Sequence, residues 1–210
     1  MSKMNESPRE QRTLQGAELR VDADGAKPVI RGYAAVFNTL SENLGDFREQ
    51  IAAGAFADAL QASDVRALIN HDANLVLGRN KAGTLVMRED VRGLYIEVTP
   101  PDTQAARDLQ TLIQRGDVNQ MSFAFTVRKE DQTWQRDGQG PWIRTIKRVD
   151  RLYDVSVVTY PAYADTSAAM RALNDLQTAE RELQEAKRRE RVARERAGRE
   201  IDLLTLRIKR

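Results

Sequence analysis

Before residue 166 apolar and polar positions change over in short runs; from Thr166 the character changes, and apolar residues recur every three to four positions. That change predicts a mixed strand-and-helix domain followed by one long helix. Residues 29–37 (VIRGYAAVF), 65–71 (VRALINH), 84–88 and 94–99 are rich in strand formers, and the turn-like stretch 89–93 joins the last two. Phe47, Ile51, Phe56 and Leu60 are spaced as one face of an Ala-rich helix, with Gly54 weakening its middle. Pro100 and Pro101 stop the sheet, and a helix follows. Asp102 or Thr103 caps its start, Ala105, Leu109, Leu112 and Ile113 share a face, and Gly116 stands past its end. Met121, Phe123 and Phe125 alternate with Ser122 and Ala124 as in a half-buried strand. A hairpin is expected over 127–145 around Asp137-Gly138-Gln139-Gly140, then a strand over 152–160 ended by Pro161.

The ends differ from this middle. Residues 1–27 are polar, with a turn at 23–25, and read as a flexible leader. Residues 174–210 hold no Pro, one Gly and a dense mixture of Glu and Arg. Leu176, Ala179, Leu183, Ala186, Ala193 and Ala197 keep a 3–4 spacing with Glu190 in one seam position; Ile201, Leu204 and Ile208 continue it after a slip. This is an amphipathic helix with a narrow seam, a candidate coiled coil, whose small seam residues suit weak or partner-dependent association. The expected division is a leader at 1–27, a folded domain at 28–172 and a charged helix at 173–210.

Composition narrows the chemistry. The 30% of charged residues is high for a compact domain, and the excess lies in the tail; the 41% of hydrophobic residues can still build one core. A net charge of only +2, with acids interleaved among the tail's bases and no aromatics beside them, argues against a nucleic-acid binder. The absence of cysteine removes disulfides and thiolate metal sites, and a single histidine removes a multi-histidine zinc site. No run of about 18 apolar residues offers a membrane span, and the N-terminal residues lack a signal core, so a soluble intracellular protein is expected.

Ser122 interrupts an apolar strand, where a hydroxyl is either a satisfied core group or a nucleophile on rigid scaffold. A serine nucleophile needs a base within hydrogen-bond reach, and His71 is the one imidazole in the chain. The base needs an orienting acceptor, which with no second histidine must be a carboxylate. Asp154, inside the β-prone run LYDVSVVTY, is one choice, although it and Ser156 would also suit an outward strand face. Asp72 is the other, disfavoured because adjacent strand residues point to opposite faces. There is no Gly-x-Ser-x-Gly elbow, no Ser-x-x-Lys pair and no Walker-type loop. On residues alone, a serine hydrolase and a non-catalytic assembly protein with a helical tail both remain open.

Several segments, in order, resemble the prohead (procapsid) maturation proteases of tailed phages: RGYAAVFN (31–38), IAAGAFADAL (51–60), LINHD and LGR (68–72, 77–79), RGDVNQMSFAF (115–125) and LYDVSVVTYPAY (152–163). The resemblance covers about residues 28–172. It implies an α+β fold similar to the herpesvirus assembly protease, a partly open β-barrel flanked by helices, and a serine endopeptidase activity without a cofactor. It carries the catalytic histidine onto His71, the nucleophile onto Ser122 and the third member onto Asp154, a shorter carboxylate than the Glu of many relatives. It further implies cleavage of scaffold protein, or of the scaffold segment of the major capsid protein, and self-cleavage. The setting would be the assembling procapsid in the host cytoplasm. The helical tail is outside the resemblance; docking on helical scaffold is its expected role.

Overall fold

The computed structural model describes residues 7–14, 17–22, 27–136, 138, 140–160 and 167–208, and no side chain at 167–168 or 196–208. In chain order the strands are β1 (Glu10–Leu14), β2 (Arg20–Asp22), β3 (Val29–Val36), β4 (Phe47–Ile51), β5 (Arg66–Ile69), β6 (Asp72–Arg79), β7 (Leu85–Glu89), β8 (Gly93–Val98), β9 (Gln120–Thr126), β10 (Gln132–Arg136), β11 (Trp142–Ile146) and β12 (Arg151–Val158). The helices are α1 (Ala57–Ala62), α2 (Gln104–Arg115) and α3 (Ser167–Ile208). Two compact units divide the chain, Met1–Ala168 and Ala169–Arg210.

The first unit is α+β. Its described strands form a five-stranded sheet ordered β1-β9-β12-β5-β6, a four-stranded sheet β2-β3-β8-β7 and a three-stranded sheet β10-β11-β4; none closes into a barrel. Ile30, Phe56, Leu94, Ile96, Met121, Phe123, Phe125, Leu152, Val155 and Val157 belong to one buried core. Phe123 meets Phe56 edge-on at 5.5 Å between centroids and stacks on Phe125 at 4.8 Å. Such pairs add about 0.5–1.5 kcal/mol each to the burial of their area. In the four-stranded sheet a Cβ at Gly93 would lie 2.0 Å from the Ala35 carbonyl oxygen, so only glycine allows this approach of β8 to β3.

Helix α2 follows its sequence signals. Thr103 Oγ1 accepts from the Ala106 amide, and Gly116, in left-handed conformation at φ 81°, closes the last turn onto Leu112 and Ile113. The buried face is Ala106, Leu109 and Ile113; Ala105 and Leu112 sit further from the core than their spacing predicts. Two expectations are corrected. Residues 47–51 are a strand, parallel to β11, and the helix begins only at Ala57. A spacing of four fits both periods, and the inward carboxylate of Glu49 hides the alternation Phe47-Glu49-Ile51. Part of the polar leader is a strand too: β1 pairs antiparallel with β9 along its whole length, and Ala17 is fully buried. The expected turn at 23–25 and Pro161 lie outside the described residues.

A buried ionic quartet explains why so polar a segment as β1 enters the fold. Glu10 and Arg12 of β1 meet Glu49 of β4 and Arg144 of β11, and the two carboxylates and two guanidiniums bond at 2.6–3.0 Å. Burial opposes ionisation of Glu49, yet Arg12 and Arg144 hold its carboxyl below the ordinary value. The second unit is the continuous helix α3, with side-chain pairs Arg189–Glu185 and Arg194–Glu190 one turn apart and Leu183 exposed. No described helix is long and apolar enough to cross a membrane.

Candidate active site

β9 and β12 form the centre of the five-stranded sheet and pair antiparallel. Met121, Phe123 and Phe125 of β9 point into the core, so Ser122 and Ala124 lie on the opposite face. On β12 the register slips between Leu152 and Asp154, a bulge at Tyr153. The slip changes which side chains face which way: Leu152 joins Val155 and Val157 in the core, while Asp154 and Ser156 share the Ser122 face. Ser156 stands directly opposite Ser122, and Asp154 opposite Ala124. Asp154 therefore belongs to neither a solvent face nor the hydrophobic core; only 2% of its surface is exposed.

His71 arrives from the neighbouring hairpin. The sequence suggests a strand running to His71 and then a loop. Instead β5 ends at Ile69 and β6 starts at Asp72, with Asn70 and His71 as the whole turn. Both have positive φ, 51° and 58°, as a two-residue hairpin of the I′ kind requires. Asn and His adopt this conformation more readily than most residues with a side chain, yet it carries strain at both positions and gains from support. Asn70 supplies it by tying the turn to the end of β12. Its amide donates to the Val157 carbonyl, and its Oδ1 accepts from the Thr159 amide, both at 2.9 Å.

The result is one hydrogen-bonded line. His71 Nδ1 is 2.6 Å from Asp154 Oδ1, and His71 Nε2 is 2.7 Å from Ser122 Oγ. A neutral imidazole satisfies both contacts with Nδ1–H donating to the carboxylate and the serine hydroxyl donating to Nε2. Ser156 Oγ donates to Asp154 Oδ1 at 2.7 Å, and the Arg9 guanidinium bonds the other oxygen, Oδ2. Asp72 is not in the line: its Oδ1 accepts from the Asn74 backbone amide at 2.8 Å and side-chain amide at 2.9 Å. The structure thus brings Ser122 and Asp154 within hydrogen-bond reach of His71 and adds Ser156, Arg9 and Asn70 around them. Ser156 has the i+2 spacing from Asp154 as a sequence signal, and Asn70 its tolerance of positive φ. Arg9 had none, since it stands in a polar segment 145 residues from its partner. Among the described residues no cluster of three or more His, Asp or Glu side chains is arranged to hold a metal ion.

A hydroxyl, an imidazole and a carboxylate hydrogen-bonded in that order form the triad that serine hydrolases of unrelated folds share. Sequence comparison gives the narrower assignment. Residues 15–182 match the family model described as caudovirus prohead serine protease, and the chain belongs to that family. It is a phage prohead maturation protease, a serine endopeptidase. It is 34% identical over 167 residues to the prohead protease of Enterobacteria phage HK97, covering 77% of this chain and 68% of that protein. Among solved structures, the bacteriophage T4 capsid assembly protease is similar at a TM-score of 0.46 and 12% identity, over 73% of this chain and 99% of that one.

Proposed function

We propose that Ser122 is the nucleophile, His71 the general base and Asp154 the residue that orients and charge-balances the imidazole. The observation that carries this reading is the unbroken line from Asp154 Oδ1 through His71 to Ser122 Oγ, with contacts of 2.6 and 2.7 Å. In the reaction Ser122 Oγ attacks the scissile carbonyl while its proton passes to His71 Nε2. Asp154 stabilises the imidazolium so formed, and His71 then returns the proton to the leaving amine. Backbone N–H groups would stabilise the oxyanion. Ser122 is fully buried, so a peptide reaches it only after the surrounding side chains part.

The substrate in this reading is scaffold, either a separate protein or the scaffold segment of the major capsid protein, together with the protease itself. Cutting takes place inside the assembling procapsid, in the host cytoplasm. The catalytic domain comprises residues 28–172, joined by the strand Glu10–Leu14, in a partly open, herpesvirus-protease-like barrel. The tail, 173–210, is a coiled-coil-type helix that recruits the enzyme to helical scaffold and allows self-association. The test is co-expression with the cognate capsid protein and mass spectrometry of the fragments. Ser122→Ala should abolish processing, since loss of a triad nucleophile costs on the order of 10⁶ in rate. Processing by Ser122→Ala at near wild-type rate would overturn the assignment.

A further inference from the structure

The carboxylate of Asp154 has two oxygens, and the contact with His71 uses one. Oδ1 takes His71 Nδ1 and Ser156 Oγ. Oδ2 takes the Arg9 guanidinium, which comes from the residue just before β1. Positions 9, 11 and 13 share a face by strand alternation, and Thr13 pairs with Ser122, so the approach to β9 directs Arg9 to the Ser122 side of the sheet. Its path crosses the bulge residue: the guanidinium carbon lies 4.9 Å from the centre of the Tyr153 ring. The backbone that carries it is fixed by the next three residues, because Glu10 and Arg12 are members of the buried quartet with Glu49 and Arg144.

The plain alternative is an ordinary surface ion pair, which would be worth little. Arg9 fits that description at its own end, with 46% of its side chain exposed, but its partner does not, at 3%. A carboxylate this far from water needs a counter-charge, and Arg9 is the fully charged group that touches it. A cation there also weakens the pull of Asp154 on an imidazolium. That loss is offset because a carboxylate held at both oxygens cannot rotate away from Nδ1, and orientation is a triad acid's first task.

Resting on the assignment of Ser122, His71 and Asp154 above, we propose that Arg9 is a positioning residue. It pins Asp154 through Oδ2 so that Oδ1 stays aligned with His71, and docking of β1 is therefore part of assembling the active site. Arg9 touches no reacting atom and works through Asp154 alone.

The experiment measures labelling of Ser122 by a fluorophosphonate in the full chain, for wild type, Arg9→Ala, Arg9→Gln and Arg9→Lys, beside thermal unfolding of each. Arg9→Ala and Arg9→Gln should lower the saturating labelling rate by about tenfold or more, the order expected for losing a charge-assisted bond, with the half-saturating probe concentration unchanged. Arg9→Lys should keep part of the rate, because it restores the charge on a shorter-reaching, more flexible point donor in place of the planar guanidinium. Millimolar guanidinium should restore part of the rate to Arg9→Ala and none to wild type. Labelling of Arg9→Ala within about twofold of wild type overturns the proposal. So does a loss that follows a drop in Tm and is not rescued by guanidinium, since Arg9 would then only dock the strand. Absence of label on wild-type Ser122 overturns the nucleophile assignment itself, an outcome separate from either of these.

Discussion

Replacing Glu49 by Gln tests the quartet that joins β1 to the three-stranded sheet. The Glu49 carboxylate accepts from Arg12 Nε at 2.7 Å, Arg12 Nη2 at 3.0 Å and Arg144 Nη1 at 2.7 Å. None of the four side chains exposes more than 8% of its surface, and the charges sum to zero. The amide keeps the shape and one acceptor but leaves two guanidiniums facing the single carboxylate of Glu10. Breaking a buried pair from one side costs about 3–5 kcal/mol. At about 2–4 °C per kcal/mol for a domain of this size, Tm should fall by about 6–20 °C. Urea and thermal unfolding followed by circular dichroism would measure it. Glu49→Gln combined with Arg144→Met removes one charge of each sign and should fall short of the summed single losses by about 1–3 kcal/mol. A single-variant loss below about 1 kcal/mol would refute the account, because it would mean that water or rearrangement replaces the missing charge. The acid limb gives a second readout. The two arginines hold Glu49 below its ordinary value of 4.5 against the opposing effect of burial. Its contribution is therefore complete above that value and is lost as pH falls through the lower folded-state value. The Gln variant should lack that part of the acid dependence.

Asp154→Asn should leave the fold intact and reduce peptide cleavage by up to about 10⁴, whereas Asp72→Asn should stay near wild type; the reverse result would move the acid to Asp72. Asp154→Glu, which keeps the carboxylate on a chain one methylene longer, should retain part of the activity. Gly93→Ala should destabilise by about 1–3 kcal/mol or more in urea unfolding, because its Cβ would meet the Ala35 carbonyl at 2.0 Å; an unchanged midpoint would contradict that contact. Deleting residues 175–210 should spare cleavage of a short peptide and sharply reduce incorporation into procapsids, since the loss is one of effective concentration. A dead peptidase that still packages normally would instead make the tail part of the catalytic fold.

Wherever a signal is local, the chain alone determined the outcome. Thr103, Gly116 and the apolar face between them specify α2 without reference to anything distant. The alternation around Ser122 specifies β9, because a period of two already separates Phe123 and Phe125 from the serine. The β-prone run after Leu152 likewise specifies β12, and the lone histidine narrowed the choice of base to one residue. Tertiary structure decided what depends on pairing between distant segments. Phe47 and Ile51 are spaced as a helix face in the sequence, yet pairing with the parallel partner β11 makes the segment a strand. Glu10 and Arg12 look like a solvated leader until Glu49 and Arg144 supply their opposite charges. Asp154 could have faced either side of β12; the register slip against β9 at Tyr153 placed it with Ser122. No local propensity carries that information, because a strand's faces are defined only by what lies on each side of the sheet.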